Sequence, residues 1–322
     1  MTFAPLPRVT FEASAIVAGV ELGGTKCVLT LARGPDHILA QHTIPTNAPD
    51  VTLDAIAATL RTWWDTRRFT ALGVASFGPI DLDPASHRFG HILATTKIGW
   101  QGADIATALA SPFAVPFALD TDVNGAAMAE IRWGCAHGLS DFAYITVGTG
   151  VGVGLIVNGQ STRGIGHTEL GHLRVPRLTG DVAPSGCMFH DDCIEGLASG
   201  TAIKTALGIE QVGTIAPTDP IWDRVCDALA KLCHALVCAT GPRRIAIGGG
   251  VIMRQPHLLE RIEPALRASL NGYLALPEDG AYVVAPTLGD QAGPLGPIAL
   301  AYEALASRGH AAPDIDRIAS VG

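Results

Sequence analysis

Apolar positions along the chain form short runs separated by glycine turns, with stretches of helical spacing between them. The apolar runs around 16–22 and 26–31 flank Gly-Gly-Thr, which predicts a β-hairpin. A third apolar segment covers 37–44, and VTLDAIAATLRTWWDTR (51–67) has apolar residues at helical spacing. A short buried strand in ALGVASFGPI (71–80) then ends in a Gly-Pro turn.

The same order of elements begins again near Asp141, about 120 residues further on. FAYITVGTGVGVGLIVNG (142–159) predicts strand, glycine turn and strand, and RRIAIGGGVI (243–252) predicts a strand that ends in glycines. Between the two hairpins, VPFALDTDVNGAAMAEIRWG (115–134) predicts a strand, a polar turn and a helix from about Gly125. The repeat predicts two duplicated α/β domains that face a shared cleft.

Composition favours a globular protein that binds small molecules. The 322 residues suffice for two domains, and with 48% hydrophobic and 16% charged residues little of the chain can be disordered. The net charge of −8 without runs of like sign argues against a nucleic-acid partner. Since no apolar stretch reaches eighteen residues and the first residues lack the apolar run of a signal peptide, we expect no membrane association and a cytoplasmic protein.

Seven cysteines, an odd number, favour reduced thiols over a disulfide framework. Cys226, Cys233 and Cys238 lie in VCDALAKLCHALVCAT, which we interpret as a buried helix. Cys187, His190 and Cys193 lie within seven positions and offer three ligands of the kind that zinc prefers. The alternative is that they are thiols and a histidine without a metal.

Three glycine turns each follow an apolar strand, at Gly23-Gly24, at 148–154 and at 248–250. Glycine lets backbone N–H groups approach an anion closely, so three such turns favour a polyphosphate ligand over simple tight turns. None has the Gly-Lys-Ser/Thr of a Walker A loop, and a strand rather than a helix follows the second turn. Both the P-loop and the Rossmann interpretations are therefore weakened.

Asp120 and Asp122 follow a predicted strand, where either carboxylate suits general base catalysis or caps the next helix. Around them, ELGGTK, ASFGPIDL, LDTDVNGAA, YITVGTGVGVG, HTELGH, CMFHDDCIEGLASG and AIGGGV follow one another in an order that resembles the ROK (repressor, open reading frame, kinase) family of sugar kinases. The likeness runs from about Val17 to Ala301. It implies two actin-like, ribonuclease H-like α/β domains with an interdomain cleft, one covering 1–118 plus a C-terminal helix at about 289–322, the other covering 119–288 with a zinc-binding loop.

Two details resemble the fructokinase branch of that family. Glu21 stands where most members have Asp, and the zinc motif is Cys-x-x-His-x-x-Cys. The resemblance implies transfer of the γ-phosphate of ATP to the 6-hydroxyl of D-fructose, with Mg²⁺ and a structural Zn²⁺ as further cofactors, and a homodimer. Alternatives are a hexokinase for mannose, glucose or N-acetylmannosamine, and a sugar sensor without catalysis. A DNA-binding repressor is not expected, since only about fifteen residues precede the first strand.

The resemblance also implies roles for individual residues. Asp122 is the general base, and Thr121 replaces the usual Asn. Sugar contacts come from Gly78, Thr121, Asn124, Glu169, His172 and Glu195. Nucleotide contacts come from Gly23, Gly24, Thr25, Lys26, Thr146, Gly148, Thr149, Gly150, Gly248 and Gly249. Zinc is held by His172, Cys187, His190 and Cys193. Lys26 is alternatively a solvated side chain, and His167 is either a further site residue or a structural histidine.

Overall fold

Two five-stranded sheets of the same topology organise the chain in the computed structural model, which describes residues 15–307. One unit comprises 15–125 together with 293–307, and the other comprises 126–292. The predicted domain limits, after 118 and near 289, stay a prediction. Their parts at 1–14 and 308–322 lie outside the described residues.

The strand order is β3-β2-β1-β4-β5 in the first sheet and β10-β9-β6-β7-β8 in the second. In each sheet, three antiparallel strands that follow one another along the chain are extended by two parallel strands. The strands are β1 Val17–Leu22, β2 Lys26–Ala32, β3 Ile38–Pro45, β4 Leu72–Ser76, β5 Phe117–Thr121, β6 Phe142–Val147, β7 Val151–Val157, β8 Gln160–Ser161, β9 Ile245–Gly248 and β10 Val283–Val284. The predicted duplication and the α/β fold class are confirmed.

Helices connect the strands and cover the sheets. They are α1 Pro49–Arg67, α2 Ile105–Ala110, α3 Asp122–Trp133, α4 Ile194–Ala198, α5 Gly200–Leu207, α6 Ile221–Thr240, α7 Gly250–Arg254, α8 His257–Leu270 and α9 Ala292–Ser307. Short 3-10 turns lie at Leu170–His172, Val212–Thr214 and Gly289–Gln291. Along the described chain, no helix combines the length and the apolar character that crossing a bilayer requires.

In helix α1, the apolar positions that predicted the helix form its buried face. Leu53, Ile56, Leu60 and Trp63 recur at helical spacing and are buried on the first sheet. Proline in the first turn suits a helix start, since its missing N–H has no intrahelical partner there. The helix ends at Arg67, and the next residue, Arg68, has a left-handed φ of 49° that breaks the helical path.

Helix α9 lies on the first sheet at a pair of glycines. Gly19 of β1 and Gly73 of β4 are register partners. A Cβ on Gly19 would lie 2.9 Å from Ile298 Cδ1, and one on Gly73 would overlap the Pro297 carbonyl. The two glycines therefore allow the backbone of α9 to approach the sheet closely.

Two predictions, one about a helix start and one about burial, are wrong. Helix α3 begins at Asp122 rather than near Gly125 and follows β5 with no intervening turn, because the Thr121 hydroxyl accepts the Asn124 N–H at 3.2 Å and caps the helix directly. Cys238 is exposed, whereas Cys226 and Cys233 are buried as predicted, since Cys238 lies off the apolar face of α6.

Candidate active site

Most of the predicted site residues of the first unit lie at one edge of the first sheet. Glu21 and Leu22 end β1, Ser76 ends β4, and Thr121 ends β5, with Leu22 paired to Ser76 and Ser76 to Thr121. Because the carboxyl ends of parallel strands share one edge, the first glycine turn, Gly78 and Asp122 all follow the sheet at this edge.

The first glycine turn, residues 23–25, is held through its carbonyl groups. The Thr46 hydroxyl donates to the Gly23 carbonyl at 2.7 Å, and the Thr46 N–H donates to the Thr25 carbonyl at 2.9 Å. A Cβ on Gly23 would lie 2.7 Å from the Lys26 carbonyl oxygen, whereas one on Gly24 would meet nothing within 4 Å. Thr25 and Lys26 are exposed. The turn thus presents its outer backbone to solvent, as a phosphate-binding loop must.

Lys97 reaches the same turn, and the sequence pattern did not indicate it. Its ammonium donates a hydrogen bond to the Gly24 carbonyl and lies 5.9 Å from the centre of the Phe77 ring. That ring stacks edge-on against Trp100, whose indole N–H donates to the Asn47 carbonyl at 2.9 Å. A positive charge therefore lies beside the first glycine turn.

The two candidate aspartates have different surroundings. Asp120 is 2% exposed, and its carboxylate accepts the Asn124 amide at 2.7 Å and the Thr121 N–H at 2.8 Å. Asp122 is only half-buried at the first position of α3, and its carboxylate accepts the Val123 N–H at 2.9 Å. Asn124 is 1% exposed. Asp120 and Asn124 therefore fix the junction between β5 and α3, while Asp122 is the more accessible carboxylate.

Glu21 is a second carboxylate close to Asp122 in the first unit. Burial, with the negative charge of Asp122 as the next cause and Lys26 opposing, raises the pKa of Glu21 to about 7. Its carboxylate packs against the first turn of α9, where a Cβ on Gly293 would lie 2.9 Å from Glu21 Cδ. A bound cation would relieve the repulsion between the two carboxylates.

In the second unit, the second and third glycine turns lie side by side. Thr146 of β6 pairs with Gly248 of β9, so Thr146 and the ends of both strands share one edge. Gly249 has φ of 87°, and a Cβ there would lie 2.6 Å from the backbone nitrogen and oxygen of Val147. Only glycine suits that position. Gly248 is buried under Pro286.

The second glycine turn, residues 148–150, is anchored by the N-terminus of α5. The Gly200 N–H donates to the Gly148 carbonyl at 2.7 Å, and the Thr201 hydroxyl donates to the Thr149 carbonyl at 2.8 Å. A Cβ on Gly148 would meet nothing within 4 Å, and Thr149 is exposed. This turn therefore also has an open outer face.

Glu195 lies against the same turn. Its Oε2 accepts the Val151 N–H at 3.0 Å, and a Cβ on Gly150 would overlap that oxygen. The glycine at 150 is thus required by the approach of a carboxylate. Gly150 therefore has a structural role beside the predicted nucleotide contact.

Glu169 precedes the 3-10 turn Leu170–His172, and His172 is its last residue; the turn packs on the start of β7. A Cβ on Gly171 would overlap the Val151 carbonyl. Glu169 has a half-exposed side chain, and its Oε1 lies 3.6 Å from Nδ1 of His167, whose side chain is 5% exposed. The Val151 N–H therefore faces the Glu195 carboxylate. The Val151 carbonyl faces Gly171, in the turn that joins Glu169 to His172.

The four predicted metal ligands converge. One ligand atom from each of His172, Cys187, His190 and Cys193 lies within 4.8 Å of all the others. Cys187 Sγ is 3.7 Å from His172 Nδ1 and 3.9 Å from His190 Nδ1, and Cys193 Sγ is 3.9 Å from His172 Nδ1. A tetrahedral zinc ion separates sulfur and nitrogen ligands by about 3.6 Å. The donor set and its spacing therefore fit zinc.

Backbone pairing explains how His172 meets the distant cysteines. The Ile194 N–H donates to the Leu173 carbonyl at 3.0 Å, and the Val175 N–H donates to the Asp192 carbonyl at 2.9 Å. This short antiparallel bridge closes the loop between His172 and Cys193. Burial raises the pKa of Cys193 to about 11, so a bound cation would take the place of its proton.

The model of the ROK family matches residues 17–304. The chain belongs to the ROK family. Among its curated relatives in this family, the fructokinase of Pediococcus pentosaceus is 38% identical over 291 residues, which is 90% of this chain and 99% of that protein. The fructokinase of Zymomonas mobilis is 36% identical over 294 residues, which is 88% of this chain and 96% of that protein.

Solved structures of ROK proteins share the fold. The ROK hexokinase of Thermus thermophilus superimposes with a TM-score of 0.74 and 26% identity, and the match covers 91% of this chain and 99% of that one. The predicted actin-like fold and family are confirmed. The roles of individual residues stay predictions.

Proposed function

We propose that this ROK protein is an ATP-dependent fructokinase that phosphorylates the 6-hydroxyl of D-fructose. The observation that carries the proposal is the similarity to curated fructokinases over nearly the whole chain. The fructokinase-like Glu21 and the Cys-x-x-His-x-x-Cys motif support the same substrate. The position of transfer rests on the family resemblance.

Asp122 is the general base in this proposal. Its half-buried carboxylate takes the proton of the sugar hydroxyl while that oxygen bonds to the γ-phosphorus of ATP. The bond from the γ-phosphorus to the bridging oxygen breaks, and ADP leaves. The bond between Asp122 and the Val123 N–H keeps the carboxylate in place at the start of α3.

Sugar recognition is assigned to Glu169, Glu195 and His172, with Gly78 and Thr121 as further contacts. Carboxylates suit a polyol because each oxygen accepts a hydroxyl proton, and a missing hydroxyl would leave them unpaired. Since His172 Nδ1 points at the cysteines, Nε2 is the atom that serves the sugar. Asn124, which the family resemblance implies as a sugar contact, is buried against Asp120, and in this proposal it fixes the junction between β5 and α3.

Nucleotide binding is assigned to the three glycine turns. The open space beside Gly24 and Gly148 is assigned to the phosphate oxygens. Gly248 and Gly249 are assigned to the neighbourhood of the adenosine. When bound, Mg²⁺ neutralises the β- and γ-phosphate oxygens. Glu21 would help to hold that ion through one of its waters. Lys26 and Lys97 are the lysines beside the first turn, and Lys97 is the one fixed by contacts.

Zinc in this proposal is structural. Four protein ligands leave no open position for water, so the ion joins the His172 turn to the loop that carries Cys187 and Cys193. Glu169 and Glu195 flank those two segments. The metal would therefore brace the sugar contacts. A cytoplasmic location and a homodimer stay predictions.

The deciding experiment is coupled ADP release with Mg-ATP against fructose, mannose, glucose, N-acetylmannosamine and no sugar. Selective turnover of fructose is the expected result. Preference for another hexose would keep the kinase and reject fructose, with Thr121 as the first residue to exchange for Asn. Turnover of no sugar by protein that binds ATP would favour the non-catalytic sensor.

A further inference from the structure

Helix α6 of the second unit carries one charged residue inside its apolar face. Arg224 is 4% exposed, and its neighbours Ile221, Trp222 and Val225 are buried in the core. Burying a guanidinium is costly unless its N–H groups find acceptors and its charge finds a partner. The acceptors that surround Arg224 therefore indicate its structural role.

Arg224 contacts the metal-binding segment, residues 181–196, at several separate positions. Its Nη2 donates to the Pro184 carbonyl at 3.0 Å and to the Gly196 carbonyl at 3.1 Å. Its Nε lies 3.3 Å from the Asp181 carboxylate, which Arg177 also contacts at 3.0 Å. The side chains of Asp181 and Arg224 are 8% and 5% exposed, so this ion pair is shielded from solvent.

The contact with Gly196 links Arg224 to the proposed sugar-binding residues, because Gly196 directly follows Glu195 in α4. Its carbonyl also accepts the Gly186 N–H at 2.9 Å. A Cβ on Gly196 would overlap Ser185 Oγ and lie 3.1 Å from Cys187 Cβ. At this point the metal-binding segment and the residue beside Glu195 are in direct contact, and Arg224 binds both.

We propose that Arg224 is a positioning residue that holds segment 181–196 from the core side, independently of the metal. It keeps the Glu195 carboxylate on the Val151 N–H and keeps Cys187 and Cys193 at the metal site. The part that concerns Glu195 as a sugar ligand rests on the proposed function.

The contacts suit arginine better than lysine. A planar guanidinium serves two carbonyls from one nitrogen while another nitrogen faces Asp181. Lysine carries the same charge on a single nitrogen and cannot reach all of these acceptors in a fixed geometry. Arg224→Lys should therefore fall between the parent and Arg224→Met.

The test uses full-length, zinc-loaded protein with Arg224→Met and Arg224→Lys. Arg261→Met is the matched control, because Arg261 also pairs with α6, at Asp223, but on the surface. Zinc release to a chelating dye is followed in time. Fructose binding is measured by calorimetry without nucleotide, and the melting temperature is recorded for each variant.

We expect Arg224→Met to release zinc about tenfold faster or more and to weaken fructose binding by a similar factor, as loss of partners around a metal site does. Arg261→Met should match the parent in both. If Arg224→Met only lowers the melting temperature while zinc release and the fructose Kd stay at parental values, Arg224 merely stabilises the fold and the proposal is wrong.

The zinc-release and fructose-binding measurements also distinguish failure of this proposal from failure of the proposed fructokinase activity. A parent protein that binds no fructose defeats the proposed substrate, and the zinc-release ratio then decides on Arg224 alone. If Arg224→Met does not fold, Arg224→Lys and Asp181→Asn decide instead. Parental zinc release and parental fructose affinity in both of these would overturn the proposal.

Discussion

The Glu195 carboxylate accepts a hydrogen bond of 3.0 Å from the backbone N–H of Val151, at the end of the second glycine turn. A residue assigned to the sugar is thereby joined to a turn assigned to the phosphates. A charged acceptor on a backbone N–H is among the stronger hydrogen bonds in a protein. The position of Glu195 and the conformation of the turn therefore depend on each other.

Gly150→Ala tests that link. The new methyl group would overlap Glu195 Oε2 and force the carboxylate off the Val151 N–H. Since hydrogen bonds to charged groups contribute about 1.5–3 kcal/mol, we expect fructose binding to weaken about tenfold to hundredfold. Calorimetric titration with fructose measures this.

Gly148→Ala is the matched comparison for Gly150→Ala. A Cβ on Gly148 meets nothing within 4 Å, so the folded chain tolerates it. We expect parental fructose affinity and an increased KM for ATP, because the methyl group occupies space assigned to a phosphate. Equal fructose affinity in both variants would show that Glu195 does not depend on the turn.

Asp122→Asn tests the general base. The amide keeps the shape of the side chain but cannot accept the hydroxyl proton, so kcat should fall by about 10²–10⁴ while fructose still binds. Asp65→Asn, at an exposed position of α1, is the control. Asp120 is unsuitable, since its bonds to Thr121 and Asn124 make any change there structural. A kcat within a few-fold of the parent's would remove Asp122 from the role.

Cys193→Ser tests the zinc brace. Loss of one of four ligands should release the ion, and the melting temperature should fall by roughly 5 °C or more, because binding free energy contributes to folding. Cys238→Ser, at an exposed thiol, should behave like the parent. Elemental analysis and a melting scan check both. Parental protein without zinc, and an unchanged melting temperature in Cys193→Ser, would contradict the brace.

Glu21→Gln tests the buried carboxylate through pH. Because the folded chain raises the pKa of Glu21 to about 7 from 4.5, it binds this proton more tightly than the unfolded chain does. The stabilisation that protonated Glu21 provides is complete below about pH 4.5 and is lost as pH rises through about 7. We expect Glu21→Gln to be more stable than the parent at pH 8 by on the order of 2–3 kcal/mol.

The measurement for Glu21→Gln is urea unfolding without Mg²⁺ at pH 8 and at pH 5. The gain should shrink strongly at pH 5, because the parent is then largely protonated in the folded state. If the free energies of unfolding of the parent and of Glu21→Gln differ by the same amount at both pH values, Glu21 does not titrate in this range.

Much of the fold was readable from the sequence, because it is encoded locally. Apolar runs on either side of glycine turns predicted both hairpins, and helical spacing predicted α1. The start of α3 was misplaced because a Thr121 hydroxyl replaces the expected turn. The Cys187, His190 and Cys193 cluster was visible because its members are close in sequence, whereas His172 came only through the family resemblance.

What the sequence by itself determined is therefore the duplicated α/β order, the family and the residue types that chemistry would need. Only the tertiary structure decided that Glu195 and Gly171 meet on opposite sides of the Val151 backbone, that Gly150 faces a carboxylate, and that Arg224 binds the carbonyl beside Glu195. These contacts join residues that are 20 or more positions apart. They depend on where packing places whole segments, and no local pattern of spacing records that.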